Sequence, residues 1–188
     1  MAGLLNQLRL DHINYARLLN LLEIDILAIE AGEKADYLRM QDIMKYMINY
    51  PDAFHHPCEE VLFDKLRGLD RDEAAILKRL RDEHERLGEL GQTLVDLLSK
   101  ASGGEMVSRS DIVAAAAAYR ELMRTHLATE ERVIFPLIEA SLTPADWDEA
   151  VAQTGAMHDP VFGGAVADEY RRLFKSITRY EQAAAGAE

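Results

Sequence analysis

Apolar residues recur at helical spacing along four stretches of this chain, and turn signals separate most of them. The first stretch places Leu5, Leu8, His12, Tyr15, Leu19, Leu22, Ile26 and Ile29 on one stripe and ends at Ala31-Gly32. The second runs from about Asp36 to Leu69, with Met44, Ile48, His55, Glu59, Leu62 and Leu66 on one face. The third carries Ile76, Leu80, His84, Leu87, Gly91, Leu94 and Leu98 and stops before Ser102-Gly103-Gly104. The fourth starts near Ser110-Asp111 and carries Tyr119, Leu122, His126, Glu130, Val133 and Leu137. Short connections make successive helices antiparallel neighbours. The pattern therefore predicts an all-α fold, an antiparallel up-down four-helix bundle over residues 1–141.

Beyond that point the pattern changes. Pro136 and Ser141-Leu142-Thr143-Pro144 are expected to end the bundle. Thr143 reads as an N-cap with Pro144 at the first helical position, opening a short helix through about Val151. His158-Asp159-Pro160 and Gly163-Gly164 read as a loop, with His158 a loop histidine. A last amphipathic helix puts Val166, Tyr170, Leu173, Ile177 and Tyr180 on one face. Residues 142–188 are thus expected to form a C-terminal helical extension, packed on the bundle or at a homodimer interface, with a frayed tail from Ala183 to Glu188.

The apolar stripes carry chemistry at corresponding places. His12, His55, His84 and His126 each sit on the core-facing stripe of a different helix, and Glu59 and Glu130 follow two of them by one turn. Residues four apart on a helix are face neighbours, about 6 Å apart, so such a pair can grip one cation together. Counting to the turns places the histidines at one height. His12 lies about 21 residues before the turn near Glu33 and His55 about 22 after it. His55 lies about 15 before the turn near Asp70 and His84 about 14 after it, while His84 and His126 each lie about 21 from the connection near Glu105. A mismatch of one residue is only about 1.5 Å of rise. A lone histidine on an apolar stripe is usually a satisfied core residue, and a lone His-x-x-x-Glu is weak. Four level histidines with two core carboxylates are different, because burying two carboxylates without a cation is unfavourable. This set is the right size for two metal ions inside a bundle.

The run His55-His56-Pro57-Cys58-Glu59-Glu60 contains two overlapping pairs. With His55 at zero on the helical wheel, Met44, Ile48, Leu62 and Leu66 fall within about 20°, whereas His56 and Glu60 fall near 100° and 140°. His55 and Glu59 are the expected core pair. Pro57 kinks this helix and can shift the phase, which leaves His56 and Glu60 as the alternative.

Composition narrows the function classes. Across 188 residues the net charge is −12, which argues against binding a phosphate backbone, so no nucleic-acid partner is expected. No uninterrupted apolar run reaches membrane-spanning length, and the opening Met1-Ala2-Gly3-Leu4-Leu5-Asn6 lacks the basic region of a signal peptide. The single cysteine, Cys58, excludes an intrachain disulfide and suits a reducing cytoplasm; it reads as a packed thiol. A cytoplasmic location without a membrane partner is the expectation. No serine or cysteine nucleophile constellation competes with the metal site. Gly88 and Gly91, on the turns after His84, read as points of close helix packing, with an access channel the alternative.

The stretch from Phe54 to Phe63, FHHPCEEVLF, and the stretch from Thr125 to Pro136, THLATEERVIFP, resemble the signature of bacterial hemerythrin-like (HHE cation-binding) proteins. Asp11-His12 and Glu83-His84 match the family's other two ligand helices, and the resemblance covers residues 1 to about 140. It implies a non-haem di-iron centre held by His12, His55, Glu59, His84, His126 and Glu130. Zinc is the expected substitute, since imidazole and carboxylate suit several divalent metals. The simplest arrangement gives each iron two histidines, with Glu59 and Glu130 bridging, and leaves a position for O2, nitric oxide or peroxide. The oxygen carriers of this family have another histidine one turn before the third-helix ligand, where this chain has Leu80. Four histidines are the number in iron–sulfur repair di-iron proteins, whose usual cysteine-bearing N-terminal domain is missing here. Binding, sensing, reaction with peroxide and iron donation to damaged iron–sulfur clusters are all open at this stage, with a structural zinc bundle the remaining alternative.

Overall fold

Two of the four predicted rods are regular helices and two are interrupted by a wide turn. The computed structural model describes residues 2–69, 73–155 and 158–185. Helices α1 (Ala2–Glu30) and α4 (Ala74–Ser102) run unbroken. The second rod is α2 (Tyr37–Tyr50), a π turn over Pro51–His55, and α3 (His56–Arg67). The fourth is α5 (Arg109–Thr129), a π turn over Glu130–Ile134, and α6 (Phe135–Ser141). The fold is an all-helical bundle of the predicted order, without strands among the described residues. The turn expected near Asp70 lies outside the described residues.

Backbone chemistry explains the ends. Gly32 adopts φ 74° and Gly104 φ 86°, left-handed positions that glycine takes without a Cβ clash. Gly32 and Glu33 donate back to Ile29 and Ala28, so the last carbonyls of α1 are satisfied as the chain leaves. At the start of α2, Asp36 caps Arg39, and the Arg39 guanidinium makes a paired contact at 2.7 and 2.8 Å with buried Asp25 of α1.

Each π turn lies just before a proline. The His56 N–H donates to Pro51 and the Phe135 N–H to Glu130, five residues back rather than four. Pro57 and Pro136 follow directly; a proline ring lacks the N–H and collides with the carbonyl four residues earlier, which lies inside each π turn. The wider turn carries one extra residue and moves that carbonyl. Its consequence is a phase shift that corrects the sequence reading. Val133 is 45% exposed and Leu137 only half-buried, whereas Ile134, Phe135 and Ile138 are fully buried. On the second rod Ile48 is half-buried, while Met47 and Tyr50 are buried before the π turn and Leu62 and Leu66 after it. Leu122 falls at the edge of the α5 stripe, with Met123 taking the core position. Pro136 does not end its rod; helix continues to Ser141.

The core divides into two clusters, and on every rod the candidate ligands fall between them. One cluster takes Leu5 and Leu8 of α1, Leu62 and Leu66 of α3, Leu77 and Leu80 of α4, and Ile134 and Ile138. The other takes Leu19 and Leu22 of α1, Met44 and Met47 of α2, Leu94 and Leu98 of α4, and Ile112 and Tyr119 of α5. Gly91 is a close approach of α4 to α2: an added Cβ would meet Ile48 at 2.9 Å. Over Gly88 there is open space instead, so the packing expected there is absent.

The C-terminal extension packs on its own bundle. Helix α7 (Pro144–Gln153) opens with a capping box between Thr143 and Asp146 and buries Trp147 and Ala150 beside Cys58, a packed thiol as the sequence suggested. In the following loop Asp159 accepts the Tyr46 hydroxyl at 2.8 Å and the N–H groups of Val161 and Phe162, while His158 is exposed. A single 3-10 turn (Asp168–Tyr170) leads into α8 (Arg171–Ala185). Leu173 and Ile177 enter the core, and Arg172 pairs with Asp42. Tyr180, placed by the sequence on that buried face, is 40% exposed, next to the Glu181 that pairs with Arg17. Helix α8 continues to Ala185, so residues 183–185, expected in a frayed tail, are helical; residues 186–188 lie outside the described residues. No described helix is long and apolar enough to cross a membrane.

Candidate metal centre

All six predicted residues meet at one level. His12 comes from α1, His55 from the last position of the first π turn and Glu59 one turn later on α3. His84 comes from α4, His126 from α5 and Glu130 from the first position of the second π turn. The histidines form two pairs: Nε2 of His12 lies 3.1 Å from Nε2 of His55, and Nε2 of His84 lies 3.0 Å from Nε2 of His126. In each pair one ring nitrogen can donate its proton to the other, and a cation held between the pair would take that proton's place.

The carboxylates link the pairs. Glu59 turns Oε1 toward His55 at 3.2 Å and His12 at 3.7 Å, and Oε2 toward His84 at 3.4 Å. Glu130 does the converse, with Oε1 at 3.1 Å from His126 and 3.8 Å from His84, and Oε2 at 3.5 Å from His12. Both side chains are fully buried, and none of their four oxygens has a hydrogen-bond partner of good geometry. A buried carboxylate without partners is disfavoured by several kcal/mol. Two side by side, each with its oxygens spread over two imidazole pairs, fit a pair of bridged cations. His12, His55 and Glu59 form one group able to hold a metal, and Glu59, His84, His126 and Glu130 another.

His56 and Glu60 stand outside this layer. Glu60 pairs with Arg81 at the surface, and His56 bonds Asp52 at 3.0 Å. His55 and Glu59 are the pair that faces inward. Leu80, at the place of the carriers' extra histidine, is fully buried in the apolar cluster.

Three carboxylates that the sequence reading did not assign hold the imidazoles from outside. Asp11 bonds Nδ1 of His55 at 3.0 Å, Glu83 bonds Nδ1 of His126 at 3.0 Å and Glu131 bonds Nδ1 of His12 at 2.8 Å. Each orients its ring so that Nε2 points inward. Each also neighbours a ligand in sequence, yet serves a histidine on another rod. Asp11 is itself held by Gln7 at 2.9 Å and by the Tyr50 hydroxyl at 3.3 Å, and Glu131 by Arg9 at 3.5 Å.

Electrostatics follow from this crowding. Burial opposes a charge on His55, but Glu59 and Asp11 outweigh it and raise its pKa to about 10. At His126 burial is outweighed in the same way by Glu130 and Glu83, again to about 10. Burial would raise Glu59, yet the surrounding imidazoles hold it well below the usual carboxylate range. Burial pushes His56 down to about 4, so its ring is neutral near pH 7. Burial lifts the Cys58 thiol to about 11, which keeps it protonated and a poor ligand.

Residues 3–138 match the model of the hemerythrin HHE cation-binding domain. No curated protein and no solved structure matches the chain.

Proposed function

We propose that this chain, which belongs to the hemerythrin HHE cation-binding domain family, holds two non-haem iron ions between His12, His55, Glu59, His84, His126 and Glu130, and uses them to bind, sense or react with O2, nitric oxide or peroxide in the cytoplasm. The observation that carries this reading is the pair of fully buried glutamates whose four unpartnered oxygens are divided between two imidazole pairs. The ligand set, four nitrogens and two carboxylates, suits iron and tolerates zinc.

Bound iron supplies a redox-active, Lewis-acidic pair; everything else is done by the chain. Asp11, Glu83 and Glu131 hold a proton at Nδ1 of His55, His126 and His12, which fixes the tautomer that leaves Nε2 free. The two apolar clusters above and below exclude bulk water and limit what reaches the centre to small molecules. Metal uptake expels the protons that His55 and His126 carry in the metal-free protein.

The test is to reduce the iron-loaded protein without air and mix it separately with O2, nitric oxide and peroxide. At least one should produce a new visible or near-ultraviolet absorption, and zinc-loaded protein should stay silent with all three. Iron-loaded protein that is equally silent would defeat the reading.

A further inference from the structure

Glu59 and Glu130 each reach both imidazole pairs, although Glu130 joins a compact ligand group only with His84 and His126. The outer shell is uneven in the opposite sense. His12 and His55 are both bonded at Nδ1 by carboxylates, Glu131 and Asp11. In the other pair only His126 is, by Glu83. Among the described residues no group bonds Nδ1 of His84. Its ring is held by packing instead, stacked on His56 with centroids 3.9 Å apart and planes 14° apart. His84 is also the most exposed of the four, at 9% of its side chain against 5% for His12 and 2% for His55 and His126. One turn beyond it, Gly88 offers no side chain, and beside Gly88 and His56 lies a cavity of about 10 Å³, near the size one water needs.

We propose that the two metal positions are unequal: the His12/His55 position fills first and tightly, and the His84/His126 position is a second, weaker and exchangeable one whose free-standing imidazole is positioned by His56. The proposal rests on the di-metal reading above. Its physical basis is that an outer carboxylate raises imidazole basicity and locks ring orientation. Loss of such a partner lowers metal affinity by about 10- to 100-fold. The first position has two such partners, Asp11 and Glu131, the latter shared with Arg9; the second has one, Glu83, shared with Arg79. Stacking on His56 fixes the plane of His84 but adds no negative charge. An exchangeable second metal is also what donation of iron to another protein would require.

The experiment is an anaerobic titration of metal-free protein with Fe2+, and separately with Co2+, against a competing chelator. Wild type should bind two metals with dissociation constants at least about 10-fold apart. Asp11→Asn should weaken the tighter event and Glu83→Gln the weaker one; Glu131→Gln serves as a second probe of the tighter event should Asp11→Asn lose its helical circular dichroism. His56→Ala should weaken the weaker event by a further factor of about 2 to 10, and His56→Phe should restore it, because only the stacked ring is replaced. Two equal constants would overturn this proposal alone, as would Asp11→Asn and Glu131→Gln acting on the weaker event. A wild-type protein that binds a single metal would overturn the di-metal reading and this proposal with it.

Discussion

The two regular rods each give the centre one histidine, and the two bulged rods each give it a histidine and a glutamate. The difference has a structural logic. A regular rod has only to carry one polar residue on an apolar stripe, and the stripe continues undisturbed on both sides of His12 and His84. A bulged rod places two charged groups one turn apart on the inward face. The π turn sits against this pair, ending at His55 on one rod and starting at Glu130 on the other. On the fourth rod it lets the apolar face beyond the pair resume one residue later, at Ile134 and Ile138; on the second it shifts the face before the pair, and Leu62 and Leu66 follow in regular register. Proline at 57 and 136 makes the wide turn the favourable local geometry, as it removes the N–H that a regular helix would need there.

The largest expected effect separates the two kinds of rod by metal content. Glu59→Ala or Glu130→Ala removes a group that reaches both positions, so elemental analysis should find both metals largely lost. His84→Ala, on a regular rod, should keep about one metal per chain. Glu60→Ala should keep both, because Glu60 faces Arg81 at the surface.

A pair of deletions asks whether the bulge is a register device. Removing Ala117 from the regular part of α5 would turn everything after it by about 100°. His126 and Glu130 would leave the core, and the variant should fail to fold or bind metal. Removing exposed Arg132 from the π turn, together with Pro136→Ala, should instead heal the turn into regular helix. Ile134 and Ile138 would still face inward, and helicity and metal content should survive. If both deletions are equally destructive in circular dichroism and metal analysis, the register account is wrong.

A smaller effect follows from protonation in the metal-free protein. His55 and His126 are raised to about 10 from an ordinary 6.5. The stability they contribute is complete below the ordinary value and is lost as pH rises through the raised one. Metal-free protein should therefore melt at progressively lower temperature between about pH 6.5 and 10. Loaded protein, whose ring nitrogens hold metal in place of protons, should show a flatter profile over the same range.

Much of the centre was legible before any coordinates. The common height of His12, His55, His84 and His126 needs only helical rise and the positions of turns, both of which survive a one-residue error. The inward choice of His55 over His56 was legible from the wheel. The phase beyond Pro57 was legible too, since Leu62 and Leu66 are buried as expected, but the phase beyond Pro136 was not: Val133 and Leu137 fit a regular period, and only the five-residue hydrogen bond reveals why Ile134 and Ile138 replace them. Asp11, Glu83 and Glu131 stood beside the ligands in the sequence, but each acts across to another rod, which no single-helix pattern contains. His56 was legible as lying off the core face, and its stacking on His84 depends on where α3 and α4 meet.

The central claim is that Glu59 and Glu130 bridge two metals between two imidazole pairs. Anomalous-scattering maps from crystals of iron-loaded protein, recorded on either side of the iron absorption edge, test it most directly. The account predicts two iron peaks, one beside His12 and His55 and one beside His84 and His126, with both glutamates touching both peaks. A single peak, or peaks that leave either glutamate uncoordinated, would contradict it.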